Sequence, residues 1–442
     1  MARQNATKRD AMGLGLAALN RLAGSTLLDR AGLRKPVENV VATATRQGFR
    51  AAGAAQRTFQ ARTRMNKPAR PTDAPDTGLF DLTPTDEQQM IVETVTEFAA
   101  EQLRPAAAGA DEELTPPDGL LGRAAELGLT AVGVPEELGG MGTERSSVTN
   151  ALVAEALAHG DLGLAVAVLA PSAVANVLAE HGDAHQQATY LPAFTDENVP
   201  AAALALQERR PLFDVFAPAT KARRTPDGYK LDGVKNLVPR AAQAELFVVS
   251  ADLEGRGPAL FLVESGTTGL SVEADPAMGL RGAATGKVVL DGATVPAGAL
   301  IGGGKADVFT RVVRSSRLGW AALACGTGKA VLDYVVPYVN ERQAFGEPVS
   351  HRQGVAFQVA DIGIELESMR LTMLRAAARA EQGRDNAREV ALAHSLAAEK
   401  GMRIGNAGVQ LLGGHGYIKE HPVERWYRDL RAIAVMEGVV SA

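Results

Sequence analysis

The residues of this 442-residue chain whose types and spacing suit chemistry lie mostly in its last third. Glu437 stands in the run AIAVMEGVV, a carboxylate among apolar neighbours. Burial disfavours the charged form of a carboxyl group and raises its pKa, which suits a general base acting on a weakly acidic proton. A lone acid near the end of a sequence is also readily a solvated one. Residues 410–416, QLLGGHG, form a glycine-rich turn between helical runs. Glycines let backbone amides approach a ligand, and amides at a helix start favour phosphate. Arg342 carries the planar fork that binds phosphate through two parallel bonds, although a surface ion pair with a carboxylate would account for it equally well in isolation. Arg317 has the same two readings, an active-site role or an ion pair on a helix surface. The single cysteine, Cys325, excludes an internal disulfide framework and a cysteine-based zinc site, and the seven histidines show no metal-ligand spacing, so no metal is expected.

These residues need elements to position them. A chain of this length is too long for one core, and its composition is that of a globular protein. Residues 1–80 read as a basic extension and a Pro-rich linker (KPARPTDAPDTG, 67–78). Residues 1–70 hold 14 Lys/Arg against 3 Asp/Glu, a net of +11, and the remainder carries −16. Such an arm on an acidic body suits an anionic membrane surface, an acidic partner, the body itself, or a transit peptide. Residues 81–198 read as a helical domain, opened by a capping box at Thr85 and Gln88 before Met90, Ile91, Val95 and Phe98. Residues 199–305 hold short β-rich runs (AELFVVSADL, GPALFLVE, GKVVLDGATVP) that suggest a small antiparallel barrel or sandwich. Residues 306–442 return to long helices separated at Gly346–Pro348, Gly383 and Gly413–Gly416, as in a four-helix bundle. The expected fold class is therefore α+β, mainly α, with a central β domain between two helical ones.

Within that order, YVNERQAFGEPVSHRQ (338–353) and VQLLGGHGYIKEHPVERWYRDLRAIAVMEG (409–438) resemble two signature segments of the acyl-CoA dehydrogenase family. VGVPEELGGMG (132–142) and DPAMGLRGAATGKVVLDGATVP (275–296) are similar to its N-terminal loop and to the end of its β domain, so the resemblance spans residues 82–438. It implies α,β-dehydrogenation of an acyl-CoA thioester, with FAD as cofactor and an electron-transfer flavoprotein as acceptor. It implies a homodimer or homotetramer in which Arg342, Phe345, Gln353, Gln410, Gly413 and Gly414 complete the FAD site of a neighbouring subunit. It assigns Glu437 as the catalytic base, Arg317 and Gly438 to the substrate side, and Gln207 and Val238 to the flavin side. Some family members place the base on an earlier helix before an arginine; Ser316 occupies that position here.

Three departures stand out. The family's L-T-E-P strand reads Leu206-Gln207-Glu208-Arg209-Arg210-Pro211 without the Gly-Ser-Asp that follows. Its W-I-[ST] strand reads Leu237-Val238-Pro239, which lacks the tryptophan and the hydroxyl near flavin N5. Val439 stands where Thr or Ser is usual. These losses keep a second function open, a non-catalytic or half-site partner subunit of another acyl-CoA dehydrogenase, and a flavin oxidase or oxygenase as a third. No nucleic-acid partner is expected. The expected location is cytoplasmic, peripheral at a membrane if the basic arm attaches there, or the mitochondrial matrix for a eukaryotic source.

Overall fold

The computed structural model describes residues 83–140, 145–196, 198–210, 213–438 and 441–442; the basic arm and the Pro-rich linker lie outside them. Helix α1 (Asp86–Phe98) begins at the expected box: the Thr85 hydroxyl accepts the Gln88 N–H at 3.2 Å, and the Gln88 side chain accepts the Thr85 N–H at 3.0 Å. Val95 and Phe98 turn inward, whereas Met90 is 62% exposed. A π-helical turn, Ala99–Leu103, joins α1 to α2 (Arg104–Glu113), and α3 (Leu120–Glu126) follows.

The alanine-rich stretch after residue 146 is two helices, α4 (Ser147–Gly160) and α5 (Leu162–His181). Asp161 divides them, because its carboxylate accepts the Leu164 N–H at 3.0 Å and starts a new helix in a new direction. Every residue of α5 from Leu162 to Leu178 is buried, so this apolar helix is the axis of the core. Helix α6 (Ala184–Phe194) ends the region.

Seven strands form one curled sheet: β1 (Ala202–Ala205), β2 (Lys221–Thr225), β3 (Gly228–Val238), β4 (Leu246–Leu253), β5 (Gly257–Glu264), β6 (Leu270–Ala274) and β7 (Gly286–Pro296). Their order is β1-β4-β2-β3-β7-β6, with β5 on β4. The expected antiparallel pairing holds for β2–β3, β3–β7, β4–β5 and β6–β7, but β4 runs parallel to both β1 and β2. Parallel neighbours need a long crossover: residues 206–245 connect β1 to β4, and residues 226–245 connect β2 to β4.

Helix α7 (Ala306–Glu341) runs 36 residues, and α8 (Gln353–Glu381), α9 (Ala387–Leu411) and the short α10 (Val423–Leu430) pack with it. A two-residue hairpin, β8 (Gln343–Ala344) with β9 (Glu347–Pro348), turns the chain between α7 and α8. The centre of α7 is buried continuously from Leu318 to Gly328.

Candidate active site

Glu437 lies in the loop after α10 and is 9% exposed. Arg317, near the first third of α7, grips it: Arg317 Nε donates to Oε1 at 3.0 Å and to Oε2 at 3.1 Å, and Nη2 donates to Oε1 at 2.6 Å. The ring of Phe216 covers the guanidinium at 5.3 Å. The same helix anchors the next residue, for Ser316 Oγ and Trp320 Nε1 both donate to the Gly438 carbonyl, at 2.7 and 2.8 Å. Ser316 thus holds the loop that carries the acid. Gly438 has φ +81° and backs onto Leu206, where an added Cβ would lie 2.9 Å from Leu206 Cγ. The closest approach of loop and sheet therefore demands glycine.

Leu206 leads into the flavin-side residues. Gln207 and Asn236 sit side by side, joined by the Asn236 N–H on the Gln207 carbonyl at 3.1 Å. Both side chains are buried, and both amide oxygens, Gln207 Oε1 and Asn236 Oδ1, lack a partner. Buried acceptors without donors are rare, and this pair suits a heterocycle that presents ring N–H groups. Beneath them lies an ion pair that the sequence reading missed. Lys235 Nζ donates to Glu208 Oε1 at 2.7 Å and to Ser250 Oγ at 2.9 Å, and Glu208 also accepts the Ala219 and Thr220 N–H groups. Lys235 is fully buried, and that burial pushes its ammonium down to about 8 against the pull of Glu208. Little in the sequence signals it, for Lys235 stands in a strand that also holds Lys230 and Asp232, and Glu208 stands in the irregular segment after β1.

The second departure has a structural counterpart. Strand β3 slips register against β7 between Lys235 and Val238, with Leu237 at φ +52°. The Leu237 N–H is taken by Asp275 Oδ2 at 3.2 Å, and Pro239 has no N–H to give. Val238 is 1% exposed and spends its side chain in the β-domain core, so only its backbone is left to face a ligand. None of Leu237, Val238 and Pro239 carries a hydroxyl.

The remaining candidates sit far away. Arg317 and Arg342 are 342 − 317 = 25 residues apart along one helix, roughly 37 Å at 1.5 Å per residue. At that end of α7, where the Tyr338 hydroxyl meets the Leu412 carbonyl, Arg342, Phe345, Gln353, Gln410, Gly413 and Gly414 are all exposed, and Phe345 is 96% so with Arg352 over its ring. Arg342 makes no ion pair among the described residues. Open space surrounds the positions where Gly413 and Gly414 would carry a Cβ. One expectation needs correction: the glycine turn is not a helix start. Residues Gly413–Tyr417 form a 3-10 turn after the C-terminus of α9, and α10 begins only at Val423. A phosphate here would meet turn amides and side chains, not the positive end of a helix dipole.

A further unforeseen residue is His394 on α9. Its ring bonds the Ile433 backbone, its Nε2 is buried without a partner, and burial lowers its pKa against the pull of Glu437. A histidine on a helix stripe gave no warning of this.

An FAD-sized ligand fits these residues only as two halves. The ring half matches Leu206–Glu208, Asn236 and Glu437; the phosphate half matches the group at Arg342. One dinucleotide does not bridge both ends of α7, so a chain would draw its phosphate half from a second copy.

Three descriptions of acyl-CoA dehydrogenase domains match this chain in sequence: N-terminal at residues 85–198, middle at 203–293 and C-terminal at 305–440. The short-chain specific acyl-CoA dehydrogenase of Bos taurus is 32% identical over 357 residues, which cover 79% of this chain and 86% of that protein. The butyryl-CoA dehydrogenase of Megasphaera elsdenii superposes with a TM-score of 0.75 at 27% identity, over 82% of this chain and 96% of that one. PigA, solved with FAD and proline, gives 0.75 at 25% identity over 82% and 96%. With all three domains matched in order, the chain belongs to the acyl-CoA dehydrogenase family.

Proposed function

We propose that this enzyme removes the α-proton and the β-hydrogen of an acyl-CoA thioester, with Glu437 as the base. The observation that carries the reading is the buried carboxylate of Glu437, fixed by Arg317 beside the unpartnered Gln207 and Asn236 oxygens. Bound FAD would supply the hydride acceptor and pass electrons to an electron-transfer flavoprotein. Its ring half would lie against residues 206–208 and 235–238, and Arg342, Phe345, Gln353, Gln410, Gly413 and Gly414 of a second copy would hold its phosphates. Two of the named relatives, the short-chain specific acyl-CoA dehydrogenase and the butyryl-CoA dehydrogenase, carry a short acyl chain in their names, and that class is proposed for this chain.

The chain's own residues do the following. Arg317 presents the carboxylate in one orientation, and Ser316 and Trp320 fix the backbone that carries it. A carboxylate that accepts two or three bonds from one guanidinium keeps lone pairs for a proton. The Phe216 ring covers the Arg317 guanidinium from the apolar side, and Leu206 packs against Gly438 beside the acid.

A second reading rests on Leu237 and Pro239, which offer no hydroxyl or free N–H where the family places a donor. On that reading the chain completes a related subunit's FAD site and turns nothing over. Purification separates the two. The first predicts near-stoichiometric flavin whose absorbance bleaches with butyryl-CoA; a colourless protein, or a yellow one that butyryl-CoA leaves unchanged, rejects it.

A further inference from the structure

The exposed end of the helical bundle holds a second polar arrangement that no assignment above uses. His415, between Gly414 and Gly416, stacks on His421, with ring centroids 5.4 Å apart and planes at 22°. Each ring is held through Nδ1 by a tyrosine of α7. The Tyr338 hydroxyl lies 2.8 Å from His415 Nδ1, and the Tyr334 hydroxyl lies 2.7 Å from His421 Nδ1. Tyr338 has one other acceptor, the Leu412 carbonyl at 3.4 Å, which is long for an O–H···O bond, and on that ground the hydroxyl proton is assigned to the His415 contact. An imidazole that accepts at Nδ1 carries its own proton at Nε2. No hydrogen bond among the described residues reaches Nε2 of either ring.

The tyrosines share a face with the phosphate candidate. Tyr334, Tyr338 and Arg342 follow one another at four-residue steps along α7, and the Arg342 N–H bonds the Tyr338 carbonyl at 2.9 Å. One stripe of one helix therefore fixes the tautomer of His415 and ends in Arg342. The ring edge that Tyr338 leaves free is an N–H donor aimed away from α7, next to Gly413 and Gly414 with their open surroundings. A structural role for two stacked imidazoles at a half-exposed site would not need this fixed proton. A ligand rich in acceptor oxygens would.

We propose that His415 is a phosphate ligand: its Nε2–H donates to the pyrophosphate of the dinucleotide bound in a neighbouring copy. Tyr338 is the positioning residue that sets the tautomer, and the stack on His421, itself held by Tyr334, keeps the ring from turning. This rests on the proposed FAD site and adds to it a side-chain donor beside Arg342. A bond from a neutral donor to a charged phosphate is worth about tenfold or more in affinity.

The test is titration of flavin-stripped protein with FAD and, separately, with riboflavin, which has no phosphate. Size-exclusion chromatography confirms the same assembly for each variant. His415→Ala is expected to weaken FAD about tenfold while riboflavin affinity stays within about twofold. Tyr338→Phe keeps the ring but frees the tautomer, and it is expected to weaken FAD about threefold. His415→Gln, which restores a donor, is expected to recover most of the loss. An unchanged ratio of FAD to riboflavin affinity in His415→Ala, with wild-type protein binding FAD, overturns this inference alone. Wild-type protein that binds no FAD overturns it together with the reading beneath it.

Discussion

Arg317 holds Glu437 by both carboxylate oxygens, and the residues on either side of it in α7, Ser316 and Trp320, hold the carbonyl of the next residue in the loop. One helix face thus sets both the orientation of the acid and the path of the chain that presents it. Arg317→Gln should leave the acid in place but free to turn. The expected result is a fall in kcat of about tenfold to a hundredfold, as misoriented reacting groups cost, and a loss of about 1–3 kcal/mol in stability from an uncompensated, mostly buried carboxylate. Steady-state turnover with butyryl-CoA and urea unfolding check both.

Gly438 sits at φ +81° against Leu206, and both the conformation and the space exclude a side chain. Gly438→Ala is expected to cost about 1–3 kcal/mol and to lower kcat more than the melting point suggests, because the strain is relieved by shifting Glu437. Kinetics at a temperature well below the melting point separate the two effects.

Lys235 and Glu208 form a pair with side-chain exposures of 0% and 4%. Lys235→Met strands a buried carboxylate and should cost about 3–5 kcal/mol. The double variant Glu208→Gln with Lys235→Met should recover much of that loss, since it removes both charges. Equal destabilisation by the single and double variants in urea unfolding would show that the pair's charges do not matter.

Asp429 is buried, bonded at 2.6 Å by the Leu280 N–H, and burial pushes its carboxyl up to about 7. The folded state therefore binds a proton that the unfolded state releases at lower pH. The stability this adds is present below the unfolded pKa near 3.8 and is lost as pH rises through about 7. Asp429→Asn should remove that dependence. Its melting temperature relative to wild type should climb between pH 5 and pH 8, and a constant difference would contradict the assignment.

Local signals proved legible where one or two residues decide the outcome. Thr85 and Gln88 form the box their spacing announced, and Gly346–Pro348, Gly383 and Gly413–Gly416 interrupt the bundle as expected. Asp161 was not read as a helix start because alanines surround it on both sides, yet one capping bond divides the stretch. The parallel placement of β4 depends on crossovers whose path no strand pattern contains. The resemblance singles out Glu437 and Arg342 as candidates and leaves Arg317 between two readings, since its pairing with Glu437 joins positions 120 residues apart. Lys235, Asn236 and His394 escaped notice for the same reason: each acquires its role from neighbours on other elements.

The central claim is that Glu437 takes the α-proton. Incubating enzyme with acyl-CoA in deuterium oxide and following label at the α-carbon by mass spectrometry tests it with the least intervening chemistry. Wild-type protein should exchange the α-proton, and Glu437→Gln should slow the exchange by about a hundredfold to ten-thousandfold while keeping its flavin and its melting point. A Glu437→Gln protein that exchanges as fast as wild type would place the base elsewhere and contradict the account.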